Sequence, residues 1–468
     1  MALPDEDLGS SAAAIAALIS SGSKIEISEL DKSGHMQKRW LHEPNGRITY
    51  LRPESHTNDL FSRSLREWKK ILSDSFLPVG FPHSVSSDYL AYQTFDSLQA
   101  FFSTITSLLA NRALLQGLGV GDANSSATFA LLLTILRDAT SRVATIVFAH
   151  RFGLRIEPDA KRYRFLADLF NDTGFFLELY SPYLSPWWKV IALSIGEALR
   201  ALCGVSAGAS KAALSMHFAK HDNLAELNAK EASQETAVGL IGLLVGTIVV
   251  KMIEDHRSVV YLMIILVFGH LWMNYLGVRS VQMTNLNRQR ATILFQEYLQ
   301  TGNVLSPAEV SQREYIILWS PSISNRHGQR VAKIELAKSF GHGMSSPAGL
   351  VKVLDGDKYS LAVTPTAAAS NTMIRILLWD DVRSKQAIMA WFQAVEMAWI
   401  MDKQAGFTPK LERIFSDERN VVDGYVKHYG VKDLWETMSE KGWDLTTQSL
   451  ETAAPVRLKA RKLDKIVY

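Results

Sequence analysis

Long apolar stretches with a helical period fill the chain between Asp88 and Met283, and only isolated charges interrupt them. Apolar residues that recur every three or four positions line one face of a helix. The segments between the stretches carry the glycines and prolines typical of turns. The pattern predicts a central helical region over 76–300, with helices at about residues 89–116, 126–151, 161–179, 187–219, 235–253 and 258–283.

Two of the predicted helices contain stretches with no charged residue. The first, "TAVGLIGLLVGTIVVKMI", is uncharged from 237 to 250 and is closed by Lys251, and "VVYLMIILVFGHLWMNYLGV" follows at 259–278. A membrane-spanning helix needs about 20 apolar residues, with about 17 as the lower end. Only five polar residues separate the two stretches, so we expect a membrane hairpin over 237–278. The alternative that stays open is the buried centre of a soluble helical bundle.

Three small residues lie along the first of these stretches. Gly242 and Gly246 form a G-x-x-x-G pair, and Gly239 lies on the adjacent turn. Such residues let two helices approach closely in lipid, where association depends on van der Waals contact. We expect all three to be helix-packing positions.

The two ends of the chain have a different texture. Residues 1–75 predict a partly disordered N-terminal segment with short strands and a helix at about 59–72. Residues 306–468 predict an α+β domain with a basic tail, in which strands at 314–319, 330–336, 359–363 and 372–379 precede a helix at 382–402. The expected fold is therefore mainly α: a polytopic or hairpin-anchored helical membrane bundle with a small α+β C-terminal domain.

Composition excludes some classes of function. The chain has 50 Lys and Arg against 47 Asp and Glu, a net charge of +3, which is not the basic footprint of a nucleic-acid-binding protein. Its single cysteine, Cys203, cannot form an intramolecular disulfide, which favours reducing surroundings. The acidic start, with Asp5, Glu6 and Asp7, fits neither a signal peptide nor a transit peptide, so no cleaved segment is expected.

Several polar residues interrupt the apolar helices. Arg137, Asp138 and Arg142 lie in the middle of the second helix, and Asp138 and Arg142 are spaced to pair on one face. We expect the three to form a buried network, either a structural clamp or part of a polar substrate path. His270 and Asn274 are intramembrane polar residues if the hairpin spans lipid. They either bond to a neighbouring helix or serve a function.

The third helix carries a run of charges. Lys161, Arg164, Asp168 and Asp172 are spaced so that Arg164 and both aspartates share a helix face. Paired carboxylates can serve acid–base chemistry, but the neighbouring cations favour ion pairing instead. No catalytic residue is assigned.

The segment after the fourth helix holds His217, His221, Asn223 and Lys230. Two histidines four residues apart can bind zinc from one helical face. The usual metalloprotease pattern needs a glutamate after the first histidine, and Phe218 stands there, so no metal site is expected. The cofactor stays unknown.

Six stretches, spread in order along the chain, resemble the Root UVB sensitive family, a eukaryotic family built on a domain of unknown function. They are "FLPVGFPHSVSSDYLAYQTFDSLQ" (76–99), "GLGVG" (117–121), "LRD" (136–138), "DAKRYRFLADLFNDTGFFLEL" (159–179), "HFAKHDNLAELNAKEASQETAVGL" (217–240) and "LSPAEV" (305–310). The resemblance covers the central half well, the C-terminal region loosely and the first 70 residues poorly. It implies a membrane protein linked to ultraviolet-B responses and vitamin B6 homeostasis. It supplies no catalytic residues.

The expected function is that of a non-enzymatic helical membrane protein with a transporter-like or scaffold role. Arg137, Asp138 and Arg142 would line or gate a solute path. Arg164, Asp168, His217, Asn223 and Lys230 would lie at its ends. The alternative is a soluble or peripheral metabolite-binding protein or enzyme linked to vitamin B6 (pyridoxal phosphate) homeostasis, in which Lys161 or Lys230 binds an aldehyde or phosphate.

The expected partners are membrane lipid and either a second copy of the chain or a family paralogue, with no nucleic acid. Arg279, Arg288 and Arg290 follow the second uncharged stretch, with no acidic residue before Glu297. By the positive-inside rule, this flank places the C-terminal domain in the cytosol. An intracellular membrane is expected, and the sequence does not indicate which organelle.

Overall fold

The computed structural model describes residues 24–30, 36–51, 68–69, 71–120, 126–220, 222–253, 255–345, 352–355, 358–364, 372–401 and 431–461. The chain divides into two compact units. The first comprises Met1–Tyr89 with Phe218–Ala237, and the second comprises Leu90–His217 with Val238–Tyr468. Most of the helix predicted at 59–72, as well as Gly121, His221 and the last seven residues, lies outside the described residues.

The first unit contains a small antiparallel sheet. Its strands are β1 (Ile25–Leu30), β2 (Met36–His42) and β3 (Ile48–Tyr50), in that order. Trp40 on β2 lies opposite Tyr50 on β3, with the ring centroids 5.3 Å apart. The predicted short strands of the N-terminal segment are therefore confirmed.

Six long helices form the body of the chain and confirm the prediction of a mainly helical protein. They are α1 (Tyr89–Gly117), α2 (Ala127–Ile156), α3 (Ala160–Tyr180), α4 (Pro186–Phe218), α5 (Leu224–Met252) and α6 (His256–Ser280). The largest error in the predicted bounds is the start of α5, which begins 11 residues before the predicted residue 235. The added segment, "LAELNAKEASQ", is too polar for an apolar periodicity to detect, but it is rich in Ala, Leu, Glu and Lys, which favour helix.

Three of these helices, α4, α5 and α6, are long and apolar enough to cross a membrane. Only 11% of the apolar window of α5 is buried inside the protein. Large apolar side chains on α5 and α6 instead point outward. Those exposed by more than half include Leu240, Leu244, Ile248, Met252, Tyr261, Ile265 and Phe268. The outer face of the hairpin is therefore a continuous apolar surface.

The glycines of α5 differ in their surroundings. A Cβ built at Gly242 would lie 2.9 Å from Cβ of Thr104 on α1, and one at Gly246 would lie 3.5 Å from Cα of Ile105 and closer still to the side chain of Leu108. A Cβ at Gly239 would have nothing within 4 Å. Gly242 and Gly246 thus lie at a close approach to α1, whereas Gly239 does not.

This difference predicts opposite effects for the same substitution. We expect Gly242→Ala to lower the free energy of unfolding by about 1–3 kcal/mol, because Thr104 and its backbone must move. Gly239→Ala, the matched control, should raise it by up to about 1 kcal/mol, because alanine favours helix and meets no neighbour. Thermal unfolding of the two purified variants measures both shifts, and shifts of the same sign would contradict the close approach.

The C-terminal part of the second unit is built around a five-stranded mixed sheet. Its strands are β5 (Ser322–Ser324), β6 (Arg330–Leu336), β7 (Lys352–Asp355), β8 (Tyr359–Thr364) and β9 (Thr372–Leu378), in the order β5-β6-β9-β8-β7. Within this five-stranded sheet, β6 and β9 pair in parallel and the other described pairs are antiparallel. A short parallel pair joins β4 (Asn285–Asn287) to β10 (Asp444–Ser449).

Helices cover this sheet and close its core. They are α7 (Arg288–Thr301), α8 (Pro307–Arg313), α9 (Phe340–Met344), α10 (Ser384–Ile400) and α11 (Val431–Glu440). Trp391 of α10 is fully buried in the core, and its indole N–H donates to the hydroxyl of Thr292 on α7. The strands predicted at 330–336, 359–363 and 372–379 and the helix at 382–402 are confirmed.

The strand predicted at 314–319 is wrong. Residues 314–319 form an irregular connection, in which Tyr315 and Leu318 are exposed while Glu314 and Ile316 are buried. Glu314 pairs in the interior with Lys161 and Arg290. Buried and exposed positions alternate only from Glu314 to Ile316, and no described strand pairs with the segment.

Candidate functional site: a buried charge cluster

All charged residues of α3 except Arg162 face the protein interior. Arg164, Asp168 and Asp172 follow one another at intervals of four, which places them on one side of the helix. Each is less than a tenth exposed. Charges at this depth are unfavourable unless they are paired and hydrogen-bonded.

Arg164 has partners on two helices. Its Nη2 lies 2.7 Å from Oδ1 of Asp96 on α1, and its Nη1 lies 3.2 Å from both carboxylate oxygens of Asp168. Its Nε donates to the hydroxyl of Tyr92 at 3.3 Å. One buried cation therefore neutralises carboxylates from α1 and α3.

Asp168 joins a third helix to the cluster. Its carboxylate accepts hydrogen bonds from the side-chain amides of Gln99 on α1 and Asn274 on α6. Asn274 also donates to the carbonyl of Arg164 at 3.3 Å. The three helices are thus linked through one carboxylate.

His270, one turn before Asn274 on α6, completes the cluster. Its Nδ1 lies 2.8 Å from Oδ2 of Asp172, and the ring is almost fully buried. Its Nε2 has no hydrogen-bond partner among the described residues and lies 3.7 Å from Oδ2 of Asp168. The imidazole therefore stands between two carboxylates and uses only one of them.

The cluster contains more acids than bases. Asp96, Asp168 and Asp172 contribute three carboxyl groups, against Arg164 and His270 as the only nearby bases in these contacts. Even with His270 protonated, one negative charge is left uncompensated when all three carboxyl groups are ionised. Such a site can take up a proton or a cation, or bind a polar group of a solute. We name these five residues the buried charge cluster.

The predicted network of Arg137, Asp138 and Arg142 is only partly correct. Arg137 is buried, but it pairs with Glu197 on α4 at 2.6 Å and with Glu178 on α3 at 3.5 Å. Asp138 and Arg142 do pair with each other, at 4.0 Å, but their side chains are 66% and 79% exposed. Adjacent residues on a helix point about 100° apart, so Arg137 and Asp138 cannot share one face. The prediction that Asp138 and Arg142 are buried was wrong.

Lys161 belongs to a separate buried ion group. Its Nζ lies 2.5 Å from Oε2 of Glu314, and Nη1 of Arg290 lies 3.0 Å from Oε1 of the same carboxylate. Burial opposes ionisation of Glu314, but Lys161 and Arg290 outweigh it and hold the pKa of the carboxyl below its ordinary value of 4.5. The amine of Lys161 is therefore engaged and is not free to bind an aldehyde.

Three further predicted site residues, His217, Asn223 and Lys230, belong neither to the buried charge cluster nor to the ion groups of Arg137 and Lys161. Asn223 donates to the carbonyl of Ser84 at 2.9 Å, and the amine of Lys230 donates to the carbonyl of Asp74, all within the first unit. His217, at the end of α4, belongs to the second unit. Asn223, just before α5, bonds to a turn, and Lys230 links α5 to the helical segment 71–76.

Sequence reasoning missed the contribution of α1. Tyr92, Asp96 and Gln99 are spaced by four and three in the stretch "YLAYQTFDSLQAFFST". That spacing places the three polar side chains on one helical face, so it could have predicted their contribution to a polar cluster. Glu178, Glu197 and Arg200, which form the second buried group with Arg137, were also missed.

Comparison with known proteins identifies the family. The domain described as "Vitamin B6 photo-protection and homoeostasis domain" matches residues 62–302. The chain belongs to the root UVB sensitive family. Every member of the buried charge cluster lies inside the matched region, whereas Glu314 lies beyond it.

Relatives in this family come from slime mould and plants. "RUS family member 1" of Dictyostelium discoideum is 39% identical over 268 residues, which cover 56% of this chain and 51% of that protein. "Protein root UVB sensitive 3" of Arabidopsis thaliana is 31% identical over 383 residues, 80% of this chain and 83% of that protein. "Protein root UVB sensitive 2, chloroplastic", also from Arabidopsis thaliana, is 26% identical over 79% of this chain and 81% of that protein.

The chain spans about half the length of the Dictyostelium relative. No solved structure matches this chain significantly. The comparisons thus establish a family related to vitamin B6 photo-protection and homoeostasis and do not assign a reaction or a solute.

Proposed function

We propose that this protein is a membrane-embedded carrier of a polar solute in vitamin B6 homoeostasis, with the buried charge cluster as its solute or proton site. The observation that carries the proposal is the combination of a charged interior and an apolar exterior on the same hairpin. His270 and Asn274 face inward on α6, while Tyr261, Ile265 and Phe268 of that helix face outward. A soluble helix has the opposite arrangement.

The outward apolar surface supports a lipid environment. Monomeric soluble proteins rarely expose large contiguous apolar patches. The helices α4, α5 and α6 are 33, 29 and 25 residues long, and each exceeds the roughly 20 residues that cross a bilayer. In a bilayer this apolar surface would contact lipid chains, whereas its exposure to water would be unfavourable.

Aromatic side chains gather at one end of these helices. Trp187 and Trp188, at the start of α4, are 81% and 64% exposed, and Tyr183 precedes them. The ring of Tyr183 lies 4.1 Å from that of His256, at the start of α6. Exposed tryptophan and tyrosine are typical of the membrane–water interface. This end of the helices fits an interfacial position.

A charge cluster on a membrane helix fits carriage better than a purely structural role. Ionisable residues within spans are costly and commonly mark ion or solute pathways. Here Asp168, on α3, accepts hydrogen bonds from side chains on α1 and α6. The Nε2 atom of His270, which has no hydrogen-bond partner among the described residues, lies 3.7 Å from the carboxylate of Asp168. A solute or proton that replaced one partner of Asp168 would loosen α1, α3 and α6 from one another. The cytosolic orientation inferred from Arg279, Arg288 and Arg290 stays a prediction.

The test is the uptake of labelled pyridoxine by cells that express the full chain. We expect Asp168→Asn to reduce flux about tenfold or more, because a charged acceptor of hydrogen bonds from three residues is replaced by a neutral amide. Asp138→Asn, on the exposed face of α2, is the matched control and should leave flux unchanged.

Each variant is first checked for membrane level and thermal unfolding, so that a folding defect is not counted as lost flux. His270→Asn provides a second variant if Asp168→Asn does not fold. A folded Asp168→Asn protein with the flux of the unmodified chain would contradict the carrier role and favour a scaffold. No flux above the empty-vector level from the unmodified chain would contradict pyridoxine as the solute.

A further inference from the structure

A cavity of about 380 Å³ lies in the second unit, among residues that the buried charge cluster does not use. It is bounded by the end of α2, the start of α3, the ends of β6 and β9, and the segment 451–457. Its volume falls in the range of about 300–1,000 Å³ usual for small-molecule sites. The residues that matter for its chemistry are Arg155, Arg162, Tyr163, Arg288, Trp319 and Lys338.

Three arginines at this cavity have no ion-pair partner. Among the described residues, no carboxylate lies within salt-bridge distance of Arg155, Arg162 or Arg288. Arg162 is exposed, while Arg155 and Arg288 are partly buried. A positive charge that is withdrawn from water without a partner is unfavourable, and an anionic ligand would compensate it.

The carboxylates of the cavity are largely engaged elsewhere. Glu335 pairs with Arg375 at 2.9 Å, and Glu451 pairs with Arg457 at 2.6 Å. Asp159, the third acid, accepts from the side-chain amide of Asn287 at 3.1 Å, and its charge interacts with those of Arg162 and Arg288 without a direct ion pair. These contacts leave three arginines facing one unpaired carboxylate, that of Asp159, so the net charge available to a ligand is positive.

Two of the arginines are partly buried and have hydrogen-bond donors with no acceptor among the described residues. Arg288 donates from Nε to the carbonyl of Leu450 at 2.9 Å, and no described residue accepts from its terminal nitrogens. Burial lowers the pKa of Arg288, and the nearby carboxylates of Asp159 and Glu335 oppose that shift. Arg155 has a buried Nε with no hydrogen-bond partner among the described residues. Both side chains thus retain donors for an incoming anion.

One wall of the cavity is aromatic. Phe152, Tyr163 and Trp319 line it, and the guanidinium carbon of Arg155 lies 5.5 Å from the centroid of Phe152. The cavity also lies at the start of α3, whose N-cap residue Asp159 makes no side-chain cap bond. A helix N-terminus favours a negative group, and aromatic walls favour a flat ring.

We propose that this cavity binds a small phosphate monoester that carries an aromatic ring. Arg155, Arg162 and Arg288 hold the phosphate, since a guanidinium group can donate two parallel hydrogen bonds to its oxygens. Tyr163 and Trp319 pack along the ring. The inference does not depend on whether the helices span a membrane or on whether the buried charge cluster carries a solute.

The experiment is isothermal titration calorimetry of the purified full chain with three probes. Pyridoxine 5′-phosphate contains both parts of the expected ligand and has no aldehyde that could react with lysines. Pyridoxine lacks the phosphate, and inorganic phosphate lacks the ring. We expect pyridoxine 5′-phosphate to bind at least about tenfold more tightly than either fragment, because only this probe can contact both the arginines and the aromatic side chains.

Variants locate the binding site. We expect the double variant Arg155→Met with Arg162→Met to weaken pyridoxine 5′-phosphate binding at least about tenfold, because each arginine supplies charged hydrogen bonds. Arg330→Met, an exposed arginine on β6 that does not line the cavity, is the matched control and should bind normally. If the double variant does not fold, Arg162→Met alone serves, because that side chain is exposed.

Three results would overturn the proposal. The first is that the unmodified chain does not bind pyridoxine 5′-phosphate. The second is that the folded arginine variants bind it as tightly as the unmodified chain does. The third is that inorganic phosphate binds as tightly as pyridoxine 5′-phosphate. The outcome of the uptake assay is separate. Asp168→Asn leaves every residue of the cavity in place and should retain pyridoxine 5′-phosphate binding.

Discussion

Arg164→Met is expected to lower the free energy of unfolding by about 3–5 kcal/mol, because it leaves two buried carboxylates without their cation. Asp96 and Asp168 are 5% and 6% exposed, so water cannot replace the guanidinium group. Methionine has a similar length but offers no hydrogen-bond donor to either carboxylate or to the hydroxyl of Tyr92. The loss should therefore exceed that of an ordinary hydrogen bond.

The matched control is Arg142→Met on the neighbouring helix. Arg142 also pairs with an aspartate four residues away, but both side chains are mostly exposed. Exposed ion pairs contribute little, so we expect a change within about 0.5 kcal/mol. Thermal unfolding of the two purified full-length variants compares them directly. Equal, small shifts would contradict the assignment of Arg164 as the central cation of the buried charge cluster.

Sequence spacing predicted contacts within one helix but not contacts between helices. The Arg164–Asp168 pair lies on α3 and follows from an interval of four residues. Asp96 is 68 residues from Arg164 in the chain, and only the packing of α1 against α3 brings them together. His270 and Asn274 were expected either to bond to a neighbouring helix or to serve a function. The structure shows that they bond to α3.

Which face of an apolar helix is buried could not be predicted for the hairpin. A helix that is apolar on all sides has no periodic signal to separate its inner from its outer face. Gly242 and Leu244 are two residues apart in the same uncharged stretch, yet Gly242 lies against α1 and Leu244 is 67% exposed.

The segment 314–319 shows a different limitation. A short apolar run such as "YIILW" can form a buried strand only where a neighbouring strand is present to pair with it. In this chain the inward residue is Glu314, held by Lys161 on α3 and Arg290 on α7. This ion group joins three distant parts of the sequence, and the residue spacing within 314–319 does not predict it.

Leu244→Lys is expected to have opposite consequences in lipid and in water. Leu244 lies near the middle of the uncharged stretch of α5 and points outward. At the centre of a membrane span, lysine costs about 2.5–3.5 kcal/mol on insertion scales. On a water-exposed helix the same change usually alters stability by about 0.5 kcal/mol or less. If the hairpin spans lipid, the variant should show reduced insertion and a lower level of folded protein.

Leu318→Lys is the matched control, because Leu318 is 88% exposed but lies outside the three apolar helices. Alkaline carbonate extraction of cell membranes measures the inserted fraction of the unmodified chain and both variants. We expect the unmodified chain and Leu318→Lys to stay in the pellet, and Leu244→Lys to be released or degraded. Release of the unmodified chain, with Leu244→Lys folded and as stable as Leu318→Lys, would mean that water contacts the apolar face. The carrier proposal would then fail, whereas the cavity would remain a candidate metabolite site, since its arginines and aromatic wall do not depend on lipid.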